Sequence, residues 1–153
     1  MARTFTLVTA TGHSPEALFD LSLDIDAHID SMRGNGEQAV AGVTSGRIGL
    51  GESVTWRAWH FGIRFTMTSR VVELERPHRF VDEQVSGPFR AFRHEHRFER
   101  VGAATRMTDT ITVASPIVGR VVEPLILVPY LRWLIARRNA QLVERLHRES
   151  STE

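Results

Sequence analysis

Two histidines stand one residue apart in the segment RAFRHEHRFER, residues 90–100, and imidazoles at this spacing suit several kinds of chemistry. On a β-strand His94 and His96 would point to the same side, because alternate side chains share a face. With a carboxylate such as Asp109 they would supply three metal ligands, as in many zinc sites. The same carboxylate could instead orient one imidazole for proton transfer. A third possibility is that these polar groups only anchor a ligand. The helices and strands that position the side chains determine which of the three roles is open to them.

The composition excludes several kinds of chemistry. The 153 residues contain no cysteine, and all 19 basic residues are arginine. A thiolate nucleophile, a disulfide, an Fe–S cluster and a lysine Schiff base are therefore excluded. With 42% hydrophobic and 24% charged residues the chain is typical of globular proteins, and its length predicts one domain over residues 1–153.

The termini and the charge balance guide expectations about location and partners. The N-terminal residues lack the basic and apolar blocks of a secretory signal, so we expect a cytoplasmic protein. The most apolar window, residues 121–136, is shorter than a bilayer span and carries charged residues, so no transmembrane segment is predicted. The net charge of only +1 gives no reason to expect a nucleic-acid partner, and the oligomeric state stays open.

Strand patterns dominate the middle of the chain. Residues 4–10 alternate as a first strand, and Ser14 with Pro15 forms an N-cap signal for one or two short helices reaching about Ser31. Residues 33–42 are predicted to be a loop. Six strand-length segments follow, over 42–50, 52–61, 63–74, 79–86, 90–101 and 104–114. Their short connections favour antiparallel pairing throughout.

The C-terminal segment, about 130–148, has apolar residues at helical spacing. Its opposite face is predicted to be solvated and carries Arg132, Arg137, Arg138, Arg145 and Arg148. A seven-stranded antiparallel sheet must bury one face, and this helix is the only large amphipathic element available. The sequence therefore predicts an α+β helix-grip fold, with the sheet curled around the long helix and a small-molecule pocket between them.

Alternation and hairpin turns assign the inward-facing residues. In residues 90–100 the charged side chains share one parity, and Phe92, His94, His96 and Phe98 share the other. A two-residue turn at Gly102 and Ala103 places Phe98 opposite Met107, His96 opposite Asp109, and His94 opposite Ile111. It also pairs Glu99 with Arg106 on the wet face.

The hairpin at residues 61–62 similarly turns Trp56, Ala58 and His60 toward Ile63, Phe65 and Met67 on the inner face. In the strand 79–86 both sets of alternate residues contain polar as well as apolar side chains. We favour the set with Phe80, Asp82 and Gln84 on the inner face. The predicted ligand-binding residues are Trp56, Phe65, Met67, Phe80, Asp82, Gln84, Phe92, His94, His96, Phe98, Met107, Asp109 and Ile111.

The runs RFVDEQVSGPFRAFRHEHRFER and TRMTDTITVASP, followed by a long terminal helix, resemble the START-like helix-grip superfamily. That superfamily includes Bet v 1, polyketide cyclases and many bacterial ligand-binding proteins. The resemblance extends from FTLVTATGHSPEALFDL to RRNAQLVERL, and the pattern GPF, H.H.F and T.M.D.I is most similar to a bacterial subgroup. It implies a deep cavity for hydrophobic or amphipathic molecules, and it implies no particular reaction.

Three functions remain open from the sequence. The first is binding of a small hydrophobic or amphipathic molecule, with His94, His96 and Asp109 as polar anchors. The alternative is a cyclase or dehydratase that uses His96 and Asp109 as acid and base, and the third is an interaction module with a filled core. No cofactor or metal is predicted. The glycines of residues 46–53 are interpreted as turns, and residues 116–130 as a lid or a bent connection.

Overall fold

The computed structural model describes residues 2–115 and 123–152. Its strands are β1 (Arg3–Thr11), β2 (Gln38–Gly42), β3 (Ser53–His60), β4 (Ile63–Glu75), β5 (Arg79–Ser86), β6 (Ala91–Val101) and β7 (Ala104–Ala114). Its α-helices are α1 (Pro15–Ser22), α2 (Ile25–Ser31) and α3 (Val128–Ser151). A short 3₁₀ turn covers Arg33–Asn35, and a π-helical turn, Glu123–Leu127, leads into α3.

The seven strands form one antiparallel sheet in the order β1-β7-β6-β5-β4-β3-β2. After β1 the chain crosses to the far edge through α1 and α2, and it then returns strand by strand until β7 pairs with β1. The concave face holds the three α-helices, and α3 is much the longest at 24 residues. The predicted helix-grip architecture is confirmed.

The hairpin that carries the two histidines has the predicted register. Val101 pairs with Ala104, which leaves Gly102 and Ala103 as the turn, and Gly102 has the positive φ of 62° that a tight two-residue turn needs. Phe98 pairs with Met107, and His96 pairs with Asp109. The β3–β4 hairpin is confirmed in the same way, with Trp56 opposite Met67. Of the residues assigned to its inner face, Ile63, which is next to the turn, is exposed.

The second strand lies elsewhere than predicted. The sequence predicts a strand over 42–50 and a loop over 33–42, whereas β2 ends at Gly42 and turns follow up to Ser53. Gly42, Gly46 and Gly51 all have φ between 71° and 79°, a conformation that interrupts a strand. A side chain at Gly42 would also meet the backbone oxygen of Ser53 at 2.2 Å, so a glycine is needed there.

Two hydrophobic clusters hold the sheet and the helices together. The larger joins α1, α2 and the C-terminal half of α3 to the sheet, with Phe19 in edge-to-face contact with Phe80 and Phe98. The smaller joins Leu131 and Ile135 of α3 to the β1–β7 edge. Ser14 caps α1 by accepting the amide of Ala17, as its sequence predicts.

Two expectations concern the region before α3. Residues 116–122 lie outside the described residues, so the proposed lid over 116–130 is described only from 123 onward. Within the described part of the chain, no helix is long and apolar enough to span a bilayer.

Candidate functional site

A cavity of about 420 Å³ lies between the concave face of the sheet and the helices. Eight of the predicted ligand-binding residues line it: Trp56, Phe65, Met67, Phe80, Asp82, Phe92, His94 and His96. Helix α3 contributes Leu131, Leu134, Ile135 and Arg138 to the opposite wall. The cavity is therefore apolar along most of its wall and has a group of polar side chains at one place.

Five other predicted residues stand outside the cavity wall. Phe98 and Met107 belong to the larger hydrophobic cluster, and Ile111 belongs to the smaller one. The Gln84 side chain folds back onto its own hairpin, where its amide nitrogen donates to the Phe89 carbonyl at 2.8 Å. Asp109 is fully buried behind the histidines. The alternation of side chains along a strand identifies the inner face of the sheet. The packing of the helices determines which part of that face borders the cavity.

The two histidines bond carboxylates in a crossed arrangement. In the strand register Asp82 stands opposite His94, and Asp109 stands opposite His96. The side chains connect the other way: Nε2 of His94 donates to Oδ1 of Asp109 at 2.7 Å, and Nε2 of His96 donates to Oδ2 of Asp82 at 3.0 Å. Diagonal neighbours on a sheet face are within reach of long side chains, so the correct register still leaves two pairings open.

Ring stacking keeps His96 in place. Its ring stacks on Phe80 at 4.0 Å on one side and on His94 at 3.7 Å on the other. Both faces of the imidazole are covered, so only the ring edge remains for hydrogen bonding. One ring nitrogen, Nε2, donates its hydrogen bond to Asp82. The other, Nδ1, lies 3.2 Å from Asp109 without the geometry of a hydrogen bond.

Asp109 is the buried anion around which this group is built. Besides His94, the Asn139 side-chain amide donates to its Oδ2 at 2.7 Å, and the Arg138 guanidinium lies 3.8 Å from Oδ1. Burial alone would raise the pKa of Asp109, but the hydrogen bond from His94 and the nearness of both imidazoles hold that pKa well below its usual range. The carboxyl group is therefore ionised at neutral pH.

The neighbouring groups titrate in a way that follows from the same contacts. Burial, together with the charge of His96, lowers the pKa of His94 to about 4, so that its imidazole is neutral at pH 7. Burial would raise the pKa of Asp82, yet the hydrogen bond from His96 and that imidazole's charge leave it lowered overall. Asp82 is therefore a second carboxylate in this group, and its side chain is 22% exposed.

Arg138 and Asn139 were missed, and the prediction of a solvated Arg138 is wrong. Both side chains are buried, and Arg138 lines the cavity. The signal was present in the sequence, because residues 131, 134–135, 138–139 and 142 follow one helical stripe. A polar pair that interrupts an apolar stripe faces the core and needs buried partners. Asp109 is that partner.

A second polar region lies toward the opening of the cavity and was not predicted as part of the site. His60 hydrogen-bonds the Tyr130 hydroxyl at 2.6 Å, and Phe61 packs on the Tyr130 ring. Since Phe61 lines the cavity and is also exposed, these residues form the mouth. Elsewhere on the wall, the His28 ring lies at a tilt against Trp56, with ring centroids 4.2 Å apart, and hydrogen-bonds Glu37 at 3.0 Å.

The ligand atoms of Asp82, His94 and His96 lie within 4.8 Å of one another, a grouping that could hold a metal ion. The third residue is Asp82, whereas the sequence indicates Asp109. Both Nε2 atoms already donate to carboxylates, and the two imidazoles are stacked. Metal binding through these two Nε2 atoms would require both hydrogen bonds to break. That no metal or cofactor is bound stays a prediction.

Solved structures share this architecture at low sequence identity. The Zhui aromatase/cyclase from Streptomyces sp. R1128 has a TM-score of 0.78 and 14% identity, over 98% of this chain and 96% of its own. TTHA0849 from Thermus thermophilus has a TM-score of 0.73 and 17% identity, over 94% and 99% of the two chains. The major latex-like protein 151 from Panax ginseng has a TM-score of 0.67 and 14% identity, over 93% and 98%. At these identities the likeness establishes the fold alone.

Fold and cavity together define the class: a helix-grip protein with an internal cavity between sheet and C-terminal helix. The sequence agrees, since residues 11–141 match the family model described as polyketide cyclase / dehydrase and lipid transport. The chain belongs to this family, as the resemblance of its strand motifs predicted. No curated protein matches the sequence significantly.

Proposed function

We propose that the protein binds a small hydrophobic or amphipathic molecule in the cavity between the sheet and α3. The observation that carries this proposal is the cavity itself: about 420 Å³, walled mainly by aromatic, aliphatic and thioether groups, with the polar side chains of Asp82, His94, His96 and Arg138 together at one part of the wall. Ligand sites are typically cavities of about 300–1,000 Å³ with a few convergent polar groups. A filled core, as the interaction-module hypothesis requires, does not match this cavity.

The polar group would orient the ligand. Asp82, His94, His96 and Arg138 all line the same cavity, and the stacked rings and buried hydrogen bonds fix their positions before a ligand arrives. A preorganised site loses less entropy on binding. Asp109 supports these groups from behind, so it acts on the ligand through His94 and His96.

Filling the cavity should abolish binding. Ala58 is buried and lines the wall, so Ala58→Phe places a ring in the space that a ligand would occupy. With the uncharged probe N-phenyl-1-naphthylamine, whose fluorescence rises in apolar sites, we expect the wild type to bind and Ala58→Phe to lose at least about tenfold in affinity.

Val72→Phe is the matched control, because Val72 is partly exposed and lies outside the cavity wall. It should bind the probe as the wild type does. Native mass spectrometry of the purified wild type should in addition show a co-purifying small molecule. Equal probe binding by Ala58→Phe and the wild type, with circular dichroism showing both folded, would refute the cavity as the binding site.

A second candidate is acid–base catalysis, favoured by the hydrogen bond between Asp82 and His96 at the cavity wall. The sequence indicates His96 with Asp109. In the structure Asp82 is the carboxylate that reaches the cavity, so Asp82 would exchange a proton with a substrate while His96 positions it. Asp109 would then hold the His94 ring in place through their hydrogen bond.

The mass of the co-purifying molecule distinguishes the binding function from the catalytic function. If the protein is an enzyme, His96→Gln should retain a molecule that the wild type converts, and adding wild-type protein should change its mass. If the protein is a carrier, the wild type and His96→Gln should hold the same molecule. A variant that holds nothing would exclude a purely catalytic role for His96.

A further inference from the structure

The charges on the cavity wall are unequal. Among the described residues that line it, three are acidic, Asp24, Glu37 and Asp82, and besides histidines the wall has one arginine, Arg138. Asp24 caps α2 by accepting the Ala27 amide, and Glu37 is hydrogen-bonded to His28. Asp82 is the acidic group that belongs to the buried polar cluster.

The only arginine of that described wall already lies close to carboxylates. Arg138 lies 3.8 Å from Asp109 and also acts on Asp82, so that one guanidinium faces two carboxylates. His94, with a pKa of about 4, adds no positive charge at neutral pH. One guanidinium can offset only one of these two carboxylates. A further carboxylate brought in by a ligand would therefore meet repulsion in a poorly solvated place.

Asp82 has room for a donor. Among the described residues, its side chain has one hydrogen-bond partner, His96, which donates to Oδ2. The side chain lines the cavity and is 22% exposed.

We propose that the ligand's buried head group donates hydrogen bonds to Asp82, with a protonated amine preferred over a hydroxyl and a hydroxyl over a carboxylate. This inference rests on the proposed binding function. It narrows the ligand from any hydrophobic or amphipathic molecule to an amphipath with a cationic or hydroxyl end. The overall net charge is only +1, so the outer surface gives no reason to expect a preference for amines.

Three compounds of equal chain length test the order. Decylamine, decanol and decanoate, each below its micelle-forming concentration, compete with bound N-phenyl-1-naphthylamine at pH 7.5. We expect decylamine to bind at least about tenfold more tightly than decanoate, because opposite and like charges within several ångströms of Asp82 differ by more than this. Decanol should lie between them.

Adjacent residues provide the variant and its control. Asp82→Asn keeps the side-chain shape and removes the charge, so the ratio of decylamine to decanoate affinity should fall at least about fivefold. Glu83→Gln removes the same charge from the next residue, which is absent from the cavity wall and pairs with Arg93 at 3.4 Å. In Glu83→Gln the ratio of decylamine to decanoate affinity should equal that of the wild type.

The outcomes distinguish this inference from the proposed function. If the probe binds and decanoate competes as well as or better than decylamine, the head-group inference is overturned and the binding function stands. The same holds if Asp82→Asn and Glu83→Gln change the ratio equally. If neither the probe nor any of the three compounds binds to folded wild-type protein, the proposed function itself fails.

Discussion

His94 is a buried imidazole whose protonation opposes folding. In the folded protein its pKa is about 4, against an unperturbed value of 6.5. Between these two pH values the unfolded chain binds the proton and the folded protein does not. The stability that depends on neutral His94 is therefore complete above about pH 6.5 and is lost as the pH falls toward 4.

A residue-scale prediction follows for His94→Gln. Gln retains an amide donor but does not titrate, so the variant should lose less stability on acidification than the wild type. Between pH 7 and pH 4.5 the difference should reach on the order of 2–3 kcal/mol in the free energy of unfolding. Urea unfolding at several pH values measures it.

His78→Gln is the control, because His78 is exposed. Its pH dependence should match that of the wild type. If His94→Gln and the wild type lose stability in parallel between pH 7 and pH 4.5, the burial of neutral His94 does not contribute to acid sensitivity, and the interpretation of its pKa would have to be abandoned.

Helix α3 is the element that brings a compensating charge to the sheet. Its apolar stripe seals the larger and smaller hydrophobic clusters, and the polar pair Arg138 and Asn139 meets Asp109 between them. The helix therefore depends on electrostatic pairing at its middle as well as on apolar packing at both ends. Removing one partner would leave a buried charge without compensation.

Neighbouring arginines of α3 allow an element-scale prediction. Arg138→Met should lower the free energy of unfolding by about 3 kcal/mol, because Asp109 loses its guanidinium neighbour while remaining buried. Arg137→Met, one residue earlier on the exposed side, should cost less than about 1 kcal/mol. Urea unfolding at pH 7 compares them.

A double variant checks that the effect arises from the pair. In Asp109→Asn/Arg138→Met both charges are absent, so the loss of stability should be smaller than the sum of the two single losses. Additive losses, or equal costs for Arg138→Met and Arg137→Met, would show that Arg138 contributes through its hydrocarbon stem and not through charge compensation.

At the scale of the whole molecule, a closely packed core and an open cavity share one concave sheet. Phe19 lies in the packed part, fully buried against Phe80 and Phe98. Phe65 lines the cavity and is only half-buried. Side chains at the edge of an empty space have fewer neighbours to lose, so the two parts should respond differently to truncation.

We therefore predict unequal costs for the same substitution. Phe19→Ala should destabilise the protein by about 3–5 kcal/mol, as truncations of buried aromatic residues do. Phe65→Ala should cost less than about 2 kcal/mol while weakening probe binding. Denaturant unfolding and the N-phenyl-1-naphthylamine titration measure the two effects, and comparable stability losses would contradict a division into core and cavity.

Local patterns were enough to predict much of this protein. Alternating polarity and turn residues identify the β3–β4 and β6–β7 hairpins with their registers, because side-chain period and turn length are short-range properties. They also place Phe80, Asp82, His94 and His96 on the inner face, where the structure has them lining the cavity. The strand predicted over 42–50 failed, since glycines adopting positive φ end the strand early.

Only the tertiary structure decided how the polar residues combine. The strand register sets His96 opposite Asp109, but the stacked rings direct each histidine to the carboxylate opposite the other. Whether Asp109 faces the cavity or lies behind it depends on how α3 seats Arg138 and Asn139 over it. Such choices arise from packing between segments far apart in the chain, and no local pattern records that packing.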